Sequence, residues 1–344
     1  MNTKHGAALA ALLLIAGLLL PACGDTPAPT TISGAGTNPD AAVTAAPAAT
    51  PAGGTADATP GGPGGLKAKV VVSSKDFTEE LLVGEMYALM LEQAGIPVSR
   101  KLNLGGVQIA QAALLKGDIS LYPEYTGTGL LNVLNYTGPT MNDDQAVYDK
   151  VKKDYEEQFK LTWLDQAPMN DTQALATTHA VAGKYGLKTL SDLSAKAGEL
   201  RLASIAEFQD RPDGLPGLKK TYGGFDFKQV AIFDIGLKYK ALLQGDAEVA
   251  VAFSTDGAIA GNDLVVLQDD KHLWPPYHVA PVVRDDVLAN YPQIKDVLNT
   301  LSPKLTSEAV SALNWEVDGK KRDYVEVAKE FLVKQGLLKT ASSQ

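Results

Sequence analysis

Two stretches of this chain repeat one another, and they constrain its fold more than any other feature. Residues 113–129 read A-L-L-K-G-D-I-S-L-Y-P-E-Y-T-G-T-G, and residues 241–257 read A-L-L-Q-G-D-A-E-V-A-V-A-F-S-T-D-G. Aligned on their Gly-Asp pairs, each reaches an aromatic residue seven positions after the aspartate, from Asp118 to Tyr125 and from Asp246 to Phe253. Tyr125-Thr126 then matches Phe253-Ser254, and Gly129 matches Gly257. Each copy reads as a helix end, a Gly-Asp turn and a short buried strand with a ring and hydroxyls at its tip. The first of these strands is expected over 119–122, with Pro123 ending its ladder because proline has no N–H to donate. A-L-L-x-G-D alone is a common helix-to-strand connection. The match continued through the aromatic tip points further, to two similar lobes that each present a ring to a shared cleft. Open α/β sheets hold their ligands at the carboxyl ends of the strands.

The surrounding chain supports an α/β class. Residues 67–73 read as a first strand, through Val70-Val71-Val72. A helix follows, with Asp76 or Thr78 as its N-cap and Glu79 and Glu80 at its positive end. A second strand over 98–104, a Gly105-Gly106 turn and a helix over 107–116 complete β-α-β-α-β, the opening of a doubly wound sheet. Further on, 142–159 reads as a helix and 162–164 as a strand, and 168–177 as a crossing between lobes. Strands are expected over 200–203, 228–233, 248–253 and 264–267, with helices over 189–195 and 235–243. Residues 207–217 form a loop dense in Pro and Gly, carrying Arg211 between Asp210 and Asp213. Residues 269–278 return the chain to the first lobe, and helices follow from Val287. The expected division is 66–170 with 276–344 as lobe 1, and 171–275 as lobe 2.

The N-terminus reads as a targeting segment. Lys4 and His5 precede an apolar run over 7–20, too short for a comfortable membrane span. Leu20-Pro21-Ala22-Cys23 before Gly24 resembles a bacterial lipobox, so 1–23 is expected to be a lipoprotein signal and Cys23 the lipidated residue. Cys23 is the only cysteine, which excludes an intrachain disulfide. Residues 24–65 are rich in Ala, Pro, Thr and Gly, with three aspartates, the composition of a disordered tether. The expected location is therefore outside the cytoplasm, anchored to a bacterial membrane.

Chemistry is more easily excluded than assigned. The net charge is −9 and no long basic run exists, which argues against nucleic acid. The four histidines are scattered, without metal-ligand spacing, and no nucleophile elbow, phosphate loop or dinucleotide fingerprint occurs. Neither an enzyme nor a metal or cofactor is expected. What remains suits a small cation or zwitterion. Rings at strand ends can cage a quaternary ammonium, and Lys75 at a helix start and Arg211 in its loop can take a carboxylate. Lys75 read alone is more readily a solvated surface lysine.

Five motifs in order carry a family resemblance: S-S-K-D-F-T-E-E (73–80), L-Y-P-E-Y-T-G-T (121–128), E-F-Q-D-R-P-D-G-L-P-G-L (207–218), A-F-S-T-D-G (252–257) and L-W-P-P-Y-H-V-A-P-V-V-R (273–284). Together they resemble the substrate-binding proteins of ABC importers for glycine betaine, carnitine and choline, over essentially 67–344. The resemblance implies a two-lobed periplasmic-binding-protein fold, a type II-like clamshell with two crossovers. It implies partnership with an ABC permease and its cytoplasmic ATPase. By the same resemblance Tyr125 and Tyr277 match cage tyrosines and Asp171 a position beside the cage, while Lys75, Thr128 and Arg211 match positions that grip a ligand carboxylate. Two positions depart from the family pattern: Gln173 stands where a cage tyrosine is usual, and Phe253 where a second tyrosine is usual. An incomplete cage leaves open a different small polar solute on the same scaffold, and a sensory lipoprotein is the remaining alternative.

Overall fold

Ten strands fall into two sheets of five in a computed structural model that describes residues 68–339. They are β1 (Val70–Ser73), β2 (Val98–Lys101), β3 (Leu121–Tyr125), β4 (Leu161–Trp163), β5 (Gln173–Thr177), β6 (Arg201–Ser204), β7 (Gln229–Ile232), β8 (Val249–Phe253), β9 (Val265–Val266) and β10 (Val279–Arg284). The first sheet runs β2-β1-β3-β10-β4 and the second β7-β6-β8-β5-β9. Both follow one plan. Three parallel strands end in the one that carries the aromatic tip, and an antiparallel strand then pairs with it, β10 on β3 and β5 on β8. The expected signal segment, Cys23 and the 24–65 tether lie outside the described residues.

The repeat in the sequence is a repeat in the backbone. The helix Val107–Lys116 ends at Gly117 with φ 81°, and the helix Lys238–Gln244 ends at Gly245 with φ 78°. Glycine adopts that left-handed conformation without a Cβ clash. The following amides bind back in the same way, Asp118 N–H to Ala113 O at 3.0 Å and Asp246 N–H to Ala241 O at 2.9 Å. The chain therefore turns into β3 and β8 by the same geometry and delivers Tyr125 and Phe253 at equivalent strand ends.

Pro123 does not end its ladder. It lies inside β3, opposite Pro281 of β10. Alternate residues of an antiparallel pair exchange no hydrogen bonds with each other, so two prolines can face one another there. The carbonyl of Pro123 is used instead by Lys75 Nζ, at 3.2 Å. The expected crossing over 168–177 is shorter than that, since 173–177 is the fully buried strand β5. The chain passes between the sheets at 170–172 and returns at 275–278. The two passages run side by side, with Asp171 N–H on Tyr277 O (3.0 Å) and Tyr277 N–H on Asn170 Oδ1 (2.8 Å). Neither Asp76 nor Thr78 caps the helix Thr78–Gln93. Its N-cap is Phe77, without a side-chain bond, and the Thr78 hydroxyl goes to Asp318 Oδ1. Within the expected loop, Pro216 lies in the first turn of a helix, Leu215–Tyr222, where its missing N–H costs nothing.

Packing follows the strand alternation. Val70, Val72 and Leu121 face the helix Thr78–Gln93, which is buried on most sides beneath the C-terminal helices. Tyr122, Trp163, Tyr155 and Val147 fill the other face of the first sheet. In the second sheet Leu175, Leu202, Val249 and Val251 face one way. Ala174, Ala176, Ala203, Ala250 and Ala252 face the other, small enough for the helix Lys238–Gln244 to lie close. Among the described residues no helix is long and apolar enough to cross a membrane.

Candidate functional site

All eight residues singled out from sequence line one cleft of about 560 Å³: Lys75, Tyr125, Thr128, Asp171, Gln173, Arg211, Phe253 and Tyr277. The fold explains the convergence. Tyr125 and Phe253 end β3 and β8, Gln173 begins β5, and Lys75 lies just past β1. Asp171 and Tyr277 belong to the two passages between sheets. The ring of Tyr277 lies against Gly127, where a Cβ would come within 2.7 Å of three of its atoms. This contact gives the glycine of P-E-Y-T-G-T its reason.

The charged groups of the cleft are held from behind. Arg211 is 9% exposed, and its Nε and Nη2 meet Asp213 Oδ1 and Oδ2 at 2.8 and 2.7 Å, a bidentate pair. Its Nη1 is 3.6 Å from Glu207 Oε2, and the Thr128 hydroxyl lies 3.5 Å from Nη2. Asp213 also accepts from the Tyr277 hydroxyl at 2.6 Å and from Asn132 Nδ2 at 3.1 Å. Burial pushes the Asp213 carboxyl up, but Arg211, Tyr277 and Asn132 outweigh it and hold the group below its ordinary value. Burial likewise opposes the Arg211 charge, and Asp213 and Glu207 more than restore it. Lys75 is more fully engaged. Its ammonium is ion-paired with Glu80 and Glu124, each at 2.9 Å, and donates to Glu124 and to the Pro123 carbonyl. Burial disfavours that charge, yet the two carboxylates keep its pKa raised. In this structure Lys75 braces the cleft floor, 5.0 Å from the ring centroids of both Tyr122 and Tyr125.

A buried acid pair lies beside the rings. The single hydroxyl of Thr255 is 2.6 Å from Glu79 Oε2 and 2.5 Å from Asp171 Oδ1. One hydroxyl has one proton to give, so one of these carboxyls must carry a proton of its own. Desolvation accounts for it: burial pushes Glu79 up to about 7, and raises Asp171 well above its ordinary value. The Tyr125 hydroxyl and Asn314 Nδ2 donate to the same Glu79, at 2.7 and 2.9 Å.

Sequence reasoning missed two parts of this site. Phe77 lines the cleft and stacks on Phe253, with centroids 6.1 Å apart and planes at 18°; Tyr125 lies 6.1 Å away on a 34° tilt. Its signal was present, a ring two positions after Lys75 at a strand end. The second part is Glu207, whose Oε1 accepts from Val107 N–H at 3.2 Å and so joins the second-sheet side to a helix of the first. Phe253 also has a resident cation: Lys238 Nζ sits 4.3 Å from its centroid and 2.9 Å from Asp256. A second hollow of about 510 Å³ adjoins, sharing Asp76, Phe77, Asp171 and Ile235 but neither Arg211 nor Tyr277. Among the described residues no cluster of His, Cys, Asp and Glu could hold a metal ion.

A profile of the family described as the substrate binding domain of ABC-type glycine betaine transport systems matches residues 68–334. The chain is 34% identical over 269 residues to the ergothioneine transport permease/ergothioneine binding protein EgtU of Helicobacter pylori, covering 78% of this chain and 48% of that one. It thus spans about half the length of that relative. It is 36% identical over 279 residues to the glycine betaine-binding protein YehZ of Escherichia coli, covering 78% of this chain and 92% of that one. A crystal structure of a glycine betaine/carnitine/choline ABC transporter superposes with a TM-score of 0.64 at 34% identity, over 78% of this chain and 99% of that one.

Proposed function

This chain belongs to the family of substrate-binding domains of ABC-type glycine betaine transport systems, and from that premise we propose that it captures a quaternary ammonium solute of the glycine betaine, choline or carnitine kind in its aromatic cleft. It is a binding component and not an enzyme. The observation that carries the proposal is the convergence of Phe77, Tyr125, Phe253 and Tyr277 with the Arg211 fork in one cleft. A trimethylammonium group gives up little hydration and gains roughly 0.5 to 2 kcal/mol from each ring face that it meets. Phe253 and Phe77 offer less than full faces, because they stack on each other. A ligand carboxylate would be met by the remaining edge of Arg211 and the Thr128 hydroxyl.

We take the lobes to be 66–170 with 276–344, and 171–275, closing on the ligand about the paired passages near Asn170 and Tyr277. The partners on this reading are an ABC permease and its ATPase, and Cys23 carries the lipid that holds the protein at the membrane. Thermal unfolding with added solute tests the ligand class. A ligand at a hundred times its Kd stabilises by about 2.7 kcal/mol, roughly 5–10 °C for a domain of this size. No shift with glycine betaine, choline or carnitine would count against the proposal.

A further inference from the structure

One polar group in the cleft has no work inside the protein. Gln173 is 4% exposed, lines the cleft, and stands directly across from Phe253 in the pairing of β5 with β8. Its Oε1 has no hydrogen-bond partner, and among the eight cleft residues named above it alone has such an orphaned buried atom. Its neighbours are all engaged. Arg211 is forked onto Asp213, Lys75 is ion-paired with Glu80 and Glu124, Asp171 is tied to Thr255, and the hydroxyls of Tyr125 and Tyr277 go to Glu79 and Asp213. A buried amide without partners is costly, and a ligand that supplies one recovers the loss.

Glycine betaine has no N–H and no O–H with which to do so. We infer that the natural ligand is a quaternary ammonium compound with an additional polar group, a hydroxyl or a ring N–H, and that Gln173 is the residue that selects it. The inference rests on the quaternary-ammonium reading and narrows it. A terminal amide carries one acceptor and two donors, so it suits a hydroxyl, which can give and take, or a ring nitrogen bearing hydrogen. A site that hydrogen-bonds a ligand N–H or O–H discriminates strongly against the analogue that lacks it, because the site's own polar group is then left unpaired.

Two matched pairs test this by titration calorimetry. Carnitine and γ-butyrobetaine differ only in a hydroxyl; histidine trimethylbetaine and its ring-N-methylated derivative differ in the ring N–H. Each is titrated into the wild type and into Gln173→Met, which keeps an unbranched side chain and has no strong hydrogen-bonding group. In the wild type at least one polar member should bind roughly tenfold or more tightly than its partner. In Gln173→Met that ratio should fall to within about twofold. Ratios within twofold in the wild type for both pairs would overturn the inference, as would a ratio that survives in the variant. If Gln173→Met does not fold, the wild-type ratios decide alone. Failure of the wild type to bind any quaternary ammonium compound, glycine betaine and choline included, is a different result: it refutes the proposed function, and this inference with it.

Discussion

Asp213→Asn is the substitution that most severely strains the account of the cleft. Asp213 is fully buried and gathers four donors: the two arms of Arg211, the Tyr277 hydroxyl and the Asn132 amide. Asparagine keeps the shape and removes the charge. Arg211 would then sit 9% exposed with Glu207, 3.6 Å from Nη1, as its remaining counter-charge. Removing one partner from a buried pair costs on the order of 3–5 kcal/mol, because the other charge is left without compensation. For a domain of this size each kcal/mol moves Tm by about 2–4 °C, so the expected fall is roughly 6–20 °C by circular dichroism. Tyr277 and Arg211 lose their orientation together, so binding should weaken as well. Glu157→Gln is the control. Its pair with Lys153 spans 3.9 Å with both side chains more than 60% exposed, and such pairs contribute little. A fall of less than about 2 °C for Asp213→Asn would refute the reasoning, since no unpaired buried charge costs so little.

Three further outcomes follow from the same geometry. Arg211→Ala should weaken carnitine by roughly 1.5–3 kcal/mol more than choline, which has no carboxylate; equal losses would mean that the loop only shapes the cleft. Glu79, pushed up to about 7 by burial from an ordinary 4.5, holds its proton more tightly folded than unfolded. Stability should therefore be highest below about pH 4.5 as far as this group is concerned. It should decline by on the order of 3 kcal/mol as pH rises to about 7, and Glu79→Gln should flatten that slope in Tm measured against pH. Cys23→Ser should release the protein from the membrane fraction, and retention after a high-salt wash would refute the anchor.

The strand-tip rings were legible because their signal is periodic. The Gly-Asp repeat sets a left-handed helix end and a fixed strand length, and both copies obey it down to their φ angles. The partner of each strand was not legible. Pro123 looked like a terminator because its isolated chemistry says so, and its position opposite Pro281 depends on a strand more than 150 residues away in the chain. Phe77 escaped notice for a related reason: nothing local says that its ring reaches Phe253. Glu79 read as a charge favouring a helix start, but the helix Ser307–Asp318, which brings Asn314, covers it. Lys75 lines the cleft, yet its engagement by Glu80 and Glu124 could not be seen from a sequence position. Gln173 was conspicuous as a departure from a pattern, and only the packed structure reveals that its buried oxygen lacks a partner.

The central claim is that a cation sits among Phe77, Tyr125, Phe253 and Tyr277. Calorimetric titration of the wild-type protein and of Tyr125→Leu with choline, carnitine and a neutral polyol tests it most directly. Loss of one cation–π face is worth roughly 0.5 to 2 kcal/mol, about a twofold to thirtyfold loss in affinity. The account predicts saturable binding of at least one of the two quaternary ammonium solutes, weakened by that factor in Tyr125→Leu, and none of the polyol. Binding of the polyol in preference to both cations, or binding of the cations unchanged by the loss of the ring, would contradict it.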